Sequence, residues 1–183
     1  ILADIINSAL DPAINIIYEN GGFIANFAGD AFTAIFEKQG CSNALLSAIK
    51  INLIFEKFNN LETAFGNFNL SVKIGLSFGS IKYGITGDSR KAFCFKGNSI
   101  TNCAAAESEC LKNEITADLY FRKQIKNANY KFEKTENGFF KLTGFKKLNV
   151  ENKKIKIRHI DRKTAELFYN TDILDYKYLG EYR

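Results

Sequence analysis

A chain of 183 residues that is 46% hydrophobic can bury one substantial core, so one domain plus a tail is the expected count. The formal charge of +5 comes from 25 basic and 20 acidic residues, many of the basic ones between Lys141 and Lys163, and reads as a solvated lysine-rich surface rather than a phosphate-binding one. No apolar run reaches the roughly 18 residues of a membrane span, and Cys41, Cys94, Cys103 and Cys110 with the single His159 lack zinc-site spacing, so reduced thiols in a cytoplasmic protein are expected.

Along the chain, Ile5, Ile6, Leu10, Ile14 and Ile17 fall near helical spacing, and Asn20-Gly21-Gly22 supplies the stop. Two short apolar runs then flank Gly29-Asp30, which predicts a β-hairpin over 22–37 with a carboxylate at its tip. Most Gly-Asp pairs are only turns, so this one takes its weight from the rest of the chain. Ser42 to Asn59 carries Leu45, Leu46, Ile49, Leu53, Ile54 and Phe58, a second amphipathic helix. Leu70 to Gly79 alternates with period two as a half-buried strand, and Gly79 to Thr86 reads as its hairpin partner. Ala92 to Lys96 is a short strand, and Ser99 to Lys112 a helix rich in small residues, on which a neighbour packs closely. Ile115-Thr116 reads as a short strand and Ala117 to Ile125 as a helix. Tyr130 to Glu133 and Phe139 to Gly144 form a strand pair about Asn137-Gly138, and Val150 to Ile160 is the last strand region. Thr164 to Arg183 has no clean periodicity and reads as a connector. This order predicts an α+β sandwich, with helices covering one face of a mainly antiparallel sheet.

Two stretches together resemble the catalytic domain of the class III nucleotidyl cyclases. One is the Gly21-Gly22 to Phe36 hairpin with Phe27-Ala28-Gly29-Asp30-Ala31. The other runs from Val72-Lys73-Ile74-Gly75-Leu76 through Gly84 and Gly87-Asp88 to Gly97-Asn98-Ser99-Ile100. The late Lys141-Leu142-Thr143-Gly144-Phe145 fits in order and spacing. The resemblance implies a ferredoxin-like fold over residues 1–160, with the family's first strand lying before residue 1, and a connector over 161–183. It is nearest to the first of the two tandem domains in soluble, bicarbonate-responsive adenylyl cyclases. Leu179-Gly180-Glu181-Tyr182-Arg183 is similar to the lead-in to another such domain.

Conversion of ATP to cyclic AMP is an in-line attack of the ribose 3′-hydroxyl on the α-phosphorus, with pyrophosphate leaving. Two metal ions, Mg²⁺ or Mn²⁺, serve it through hard oxygen ligands. The resemblance implies two aspartates: Asp30 matches the one on the hairpin, and the other belongs to the preceding strand. It also implies that Phe27, Ala28 and Gly29 are nucleotide-binding. The family's asparagine and arginine, which orient the ribose and stabilise phosphate charge, fall four and eight residues past Gly97, where this chain has Thr101 and Ala105. Neither can replace them; Asn102 stands one residue away. Asn26 occupies the place of a lysine that helps to hold bicarbonate.

Such a chain reads as the metal-binding half of an adenylate cyclase, catalytically incomplete alone and completed by a second cyclase domain in a pseudo-twofold pair. A degenerate cyclase-homology domain that regulates without catalysis is the alternative. A nucleic-acid module stacking bases on Phe78 and Phe95 is a third reading, but core packing explains those rings better, so no nucleic acid is expected.

Overall fold

The computed structural model describes residues 2–59, 61–63, 66–146 and 161–169. In chain order the elements are α1 (Leu2–Glu19), β1 (Gly22–Ala28), β2 (Ala31–Phe36), α2 (Cys41–Glu56), β3 (Leu61–Thr63), β4 (Gly66–Phe68), β5 (Lys73–Leu76), β6 (Lys82–Thr86), β7 (Ala92–Lys96), α3 (Asn98–Ser108), β8 (Glu114–Ala117), α4 (Leu119–Gln124), β9 (Tyr130–Lys134), β10 (Phe140–Phe145) and α5 (Arg162–Phe168). They fall into two compact units, one of residues 1–81 and 97–154, the other of 82–96 and 155–183. The expected strand at 150–160 and His159 lie outside the described residues.

In the first unit α1 runs through Pro12 and ends where Gly21 donates its amide to the Tyr18 carbonyl. Its buried stripe is Ala9, Ala13 and Ile17, four residues apart; the predicted Leu10 and Ile14 are only half-buried. Alanines on that stripe fit close contact with α2, whose Ile51 and Phe55 complete one apolar cluster together with flanking residues from β1, β2 and the run 70–74. The other side of α2 places Ala44, Leu45, Ala48 and Ile49 against Leu76, Ile115, Ala117, Phe121 and Ile125. The helix thus joins two clusters, and Leu45 and Ile49, almost wholly buried, anchor the second.

The central sheet has four strands in the order β5-β8-β10-β9. Phe140 and Lys141 of β10 pair antiparallel with Ala117 and Thr116 of β8, and β9 with β10 forms the predicted hairpin about Asn137-Gly138. β5 departs from expectation. It spans only Lys73–Leu76 and pairs in parallel with β8, Lys73 opposite Glu114 and Leu76 opposite Ala117. Parallel neighbours need a crossover; the segment between them carries α3. The run after Gly79 is not its hairpin partner: β6 pairs with β7 in the second unit, Tyr83 opposite Phe95 and Ile85 opposite Phe93.

Gly75 explains how α3 is seated. A Cβ there would lie 2.2 Å from the Cys103 carbonyl oxygen and 2.5 Å from the Glu107 amide nitrogen, so the helix backbone rests directly on the strand. Ile74 and Leu76 point the other way, into the cluster beneath α2. Helices therefore cover β5 on both faces, not on one as expected. The small residues at 99–112 are the cause, because only such a helix lies this close. The Cys103 thiol donates to the Gly75 carbonyl at 3.1 Å, and burial pushes it up to about 11.

Two elements escape the sequence reading. One is a short antiparallel pair, β3 with β4. The other is α5, a seven-residue helix inside the presumed connector, capped by Asp161, whose carboxylate accepts from the Thr164 amide at 3.0 Å. The Thr164 hydroxyl and amide hold that carboxyl below the ordinary aspartate range.

Candidate active site

β1 and β2 meet at a two-residue turn: Ala28 pairs with Ala31, leaving Gly29 and Asp30 at the tip. Gly29 has φ of +64° while Asp30 does not leave negative φ, the arrangement of a type II′ turn, which places glycine first and an ordinary residue second. The turn thus presents Asp30 outward. Its carboxylate is exposed and makes no side-chain hydrogen bond or ion pair among the described residues. Phe27 and Phe32 lie directly opposite across the hairpin, ring centroids 5.7 Å apart, and form an aromatic floor one pair below the turn. The pairing slips between Ile24 and Asn26, a bulge beside which the side-chain alternation shifts. Beyond it Phe27, Ala28 and Gly29 are all solvent-exposed with Asp30, whereas Gly22 at the base is buried against the Phe36 ring. Asn26, also exposed, follows the bulge. The hairpin therefore gathers the four predicted residues at one exposed tip.

α3 carries the second set. Ser99, Cys103 and Ala106 face inward, and Thr101 and Ala105 stand one turn apart on the exposed side together with Asn98 and Ser108, a face with no charged side chain. Asn102 is not available there. It is half-buried, and its amide points at the Asp118 carboxylate, 3.5 Å away. Sequence reading missed Asp118, a buried acid that accepts from the Ser77 hydroxyl at 2.6 Å and from the Phe121 amide at 2.7 Å. Its own amide donates to the Leu76 carbonyl at 2.9 Å. It is the N-cap of α4 and ties β5 and α3 to that helix, a structural knot. An aspartate immediately before Leu119-Tyr120-Phe121 was the signal for it.

Phe78 packs on the core cluster beneath α2, as expected of a core ring. All four cysteines are free thiols. Glu114, placed beside Lys141, is drawn below the ordinary glutamate range: partial burial opposes this, and the Lys141 ammonium and the Leu111 amide outweigh it. Among the described residues no three acid, histidine or cysteine side chains converge as a metal cage. No described helix is long and apolar enough to cross a membrane.

The sequence profile described as "Adenylate and Guanylate cyclase catalytic domain" matches residues 16–157, and the chain belongs to that family. Guanylate cyclase beta of Plasmodium berghei is 24% identical over 163 residues, 85% of this chain and 5% of that protein. Adenylate cyclase type 10 of Mus musculus is 27% identical over 117 residues, 62% of this chain and 7% of that protein. The chain thus spans under a tenth of these relatives' length. Among solved structures, the guanylate cyclase domain of RhGC from Catenaria anguillulae in complex with GTP superposes with a TM-score of 0.64 at 19% identity, covering 76% of this chain and 82% of that one. The non-canonical dimeric guanylyl cyclase domain of the RhoGC fusion protein from Blastocladiella emersonii gives 0.65 at 17%, covering 77% and 82%. At such identities these two superpositions bear on the fold.

Proposed function

We propose that this domain is the metal-binding half of a class III adenylate cyclase, converting ATP to cyclic AMP and pyrophosphate only together with a complementary cyclase domain. In that reaction the ribose 3′-hydroxyl gives up its proton to solvent, its oxygen bonds to the α-phosphorus, the bond from that phosphorus to the bridging oxygen breaks, and pyrophosphate leaves with its electron pair. Asp30 offers an exposed hard ligand for Mg²⁺ or Mn²⁺, which when bound supplies charge neutralisation at the phosphates. Phe27, Ala28 and Gly29 border it as the nucleotide-binding edge. The observation that carries the half-site reading is the exposed face of α3, where Thr101 and Ala105 hold no charged donor. The partner domain must then bring the donors that orient the ribose and stabilise the transition state. ATP is chosen over GTP on the likeness to the soluble adenylyl cyclases, and a cytoplasmic setting on the free thiols.

In the protein carrying both domains, Thr101→Ala and Ala105→Ser are expected to leave cyclase activity within about twofold, since no transition-state donor is removed. The rate with ATP and with GTP reads this directly. A loss of ten-fold or more, on the order of what one such donor contributes at minimum, would show that this face acts in catalysis. The same α3 face also suits a regulatory domain without catalysis; that reading predicts no cyclic nucleotide from the two-domain protein under any metal.

A further inference from the structure

Between α2 and the end of β10 lies a cleft of about 140 Å³ that shares no residue with the candidate active site. α2 lines one wall with Ile49, Asn52, Leu53 and Glu56, which recur at helical spacing on a single stripe. β10 builds the other. Its pairing with β9 slips between Leu142 and Gly144, which makes a bulge at Thr143. Leu142 stands opposite Phe132 and Phe145 opposite Tyr130, and both partners pack on the cluster beneath α2. Opposite residues share a face, so the bulge returns Phe145, three positions after Leu142, to the α2 side. Leu53 and Phe145, 41% and 42% exposed, flank the mouth, and the buried Ile49 and Ile115 lie at the floor.

The unmet polar groups of this cleft are acceptors. The Asn52 side-chain nitrogen donates to the Asn113 carbonyl at 3.2 Å. Asn113 is itself fixed: its amide donates to the Val72 carbonyl at 2.8 Å, and its side-chain oxygen accepts from the Val72 amide at 3.1 Å. With its nitrogen so held, Asn52 turns its Oδ1 the other way, where that oxygen is buried without a hydrogen-bond partner. A buried acceptor left unpaired is costly. One turn on, Glu56 ends α2, where the helix dipole already places negative charge, and the last turn holds no basic residue. The Glu56 carboxylate is exposed and makes no hydrogen bond or ion pair among the described residues. The Thr143 hydroxyl is turned toward the Lys131 carbonyl at 3.5 Å.

We propose that the cleft binds a small primary alkylammonium ion, with the ammonium between Asn52 Oδ1 and the Glu56 carboxylate and the tail against Ile49, Leu142 and Phe145. The class follows from the groups that need a partner. An ammonium brings several donors and a positive charge, and its tail covers the apolar walls. A bare metal ion would leave those walls in water, an alcohol would leave Glu56 without a counter-charge, and an anion would be repelled by it. At ~30 Å³ for each water-sized group, the cleft has room for about five non-hydrogen atoms. None of Phe27 to Asp30 lines it, and α3 lies on the face of β5 away from α2, so the site does not rest on the cyclase reading.

The test is a titration of the intact chain with n-butylammonium, n-butanol and n-butyrate, followed by the methyl NMR signals of Ile49, Leu53, Ile115 and Leu142. n-Butylammonium is expected to bind with a Kd on the order of 1 mM and to shift those methyls together. It should bind about five-fold more tightly than the alcohol or the carboxylate, the scale of a charge-assisted hydrogen bond over a neutral one at a partly exposed site. Glu56→Gln, at an exposed position, is expected to abolish that preference and leave butanol binding unchanged. Phe145→Ala should weaken the cation and the alcohol alike, because it removes wall and no charge. A melt of each variant confirms that the fold is retained. The proposal is overturned if n-butylammonium fails to bind at about ten times the expected Kd, or if the three ligands bind equally. It is overturned as well if Glu56→Gln keeps the preference, or if the shifted methyls lie outside the cleft.

Discussion

Asp30→Ala is expected to lower Mg²⁺- or Mn²⁺-dependent cyclase activity of the two-domain protein by on the order of 10²-fold or more, at least the loss typical of an outer-shell metal contact. The melting temperature should hold, because the side chain is exposed at a turn and contacts nothing that the fold needs. Asp30→Asn sharpens the result: it keeps the size and the turn and removes the charge, so it should fall nearly as far. Metal titration separates the causes. If Asp30 is a ligand, the variant's requirement for Mn²⁺ rises while the Michaelis constant for nucleotide measured at saturating metal moves little. Full activity in Asp30→Ala would remove the metal role.

The largest effect on stability is expected at Gly75. The atoms that a Cβ would meet there, the Cys103 carbonyl oxygen at 2.2 Å and the Glu107 amide nitrogen at 2.5 Å, are main-chain and cannot rotate aside. Gly75→Ala must lift α3 off β5, which disturbs the Cys103 hydrogen bond and the helix carrying Thr101 and Ala105. The cost should reach the upper end of the ~1–3 kcal/mol of overpacked cores. At ~2–4 °C per kcal/mol for a chain of this size, a thermal melt resolves it. Gly84→Ala is the control: nothing lies within 4 Å of its Cβ position, and its change should stay within about 0.5 kcal/mol. Equal melting temperatures for the two would mean that the α3–β5 contact is not as tight as described.

What was legible in the sequence was local. The Gly29-Asp30 and Asn137-Gly138 turns announce two hairpins because turn chemistry acts over two residues, and both form where read. α2 was legible from its periodicity. The parallel pairing of β5 with β8 was not, since no turn signals a contact between residues about forty positions apart; the alternating run after Gly79 offered a nearer and wrong partner. The buried face of α1 was legible at Ile17 but not at Ala9 and Ala13, because close helix packing favours small side chains that carry little apolar signal. α5 lacks periodicity since its stability comes from Arg90 and Phe93, far away in the chain. At the candidate site, the exposed turn that carries Asp30 was legible from Gly29-Asp30, while its metal role is a proposal. That Asn102 turns inward to Asp118, and so cannot stand in for a ribose-orienting asparagine, needed the helix orientation set by Gly75.

In the proposed half-site, this domain holds the metal side and a second domain brings the donors. Cyclic nucleotide formation with Mn²⁺, measured for this chain alone and then with a cyclase domain that carries the missing asparagine and arginine, tests it most directly. The expected result is no turnover of ATP or GTP by the chain alone and cyclic AMP only from the pair, abolished by Asp30→Ala. Turnover by the chain alone at the rate of the pair would contradict it.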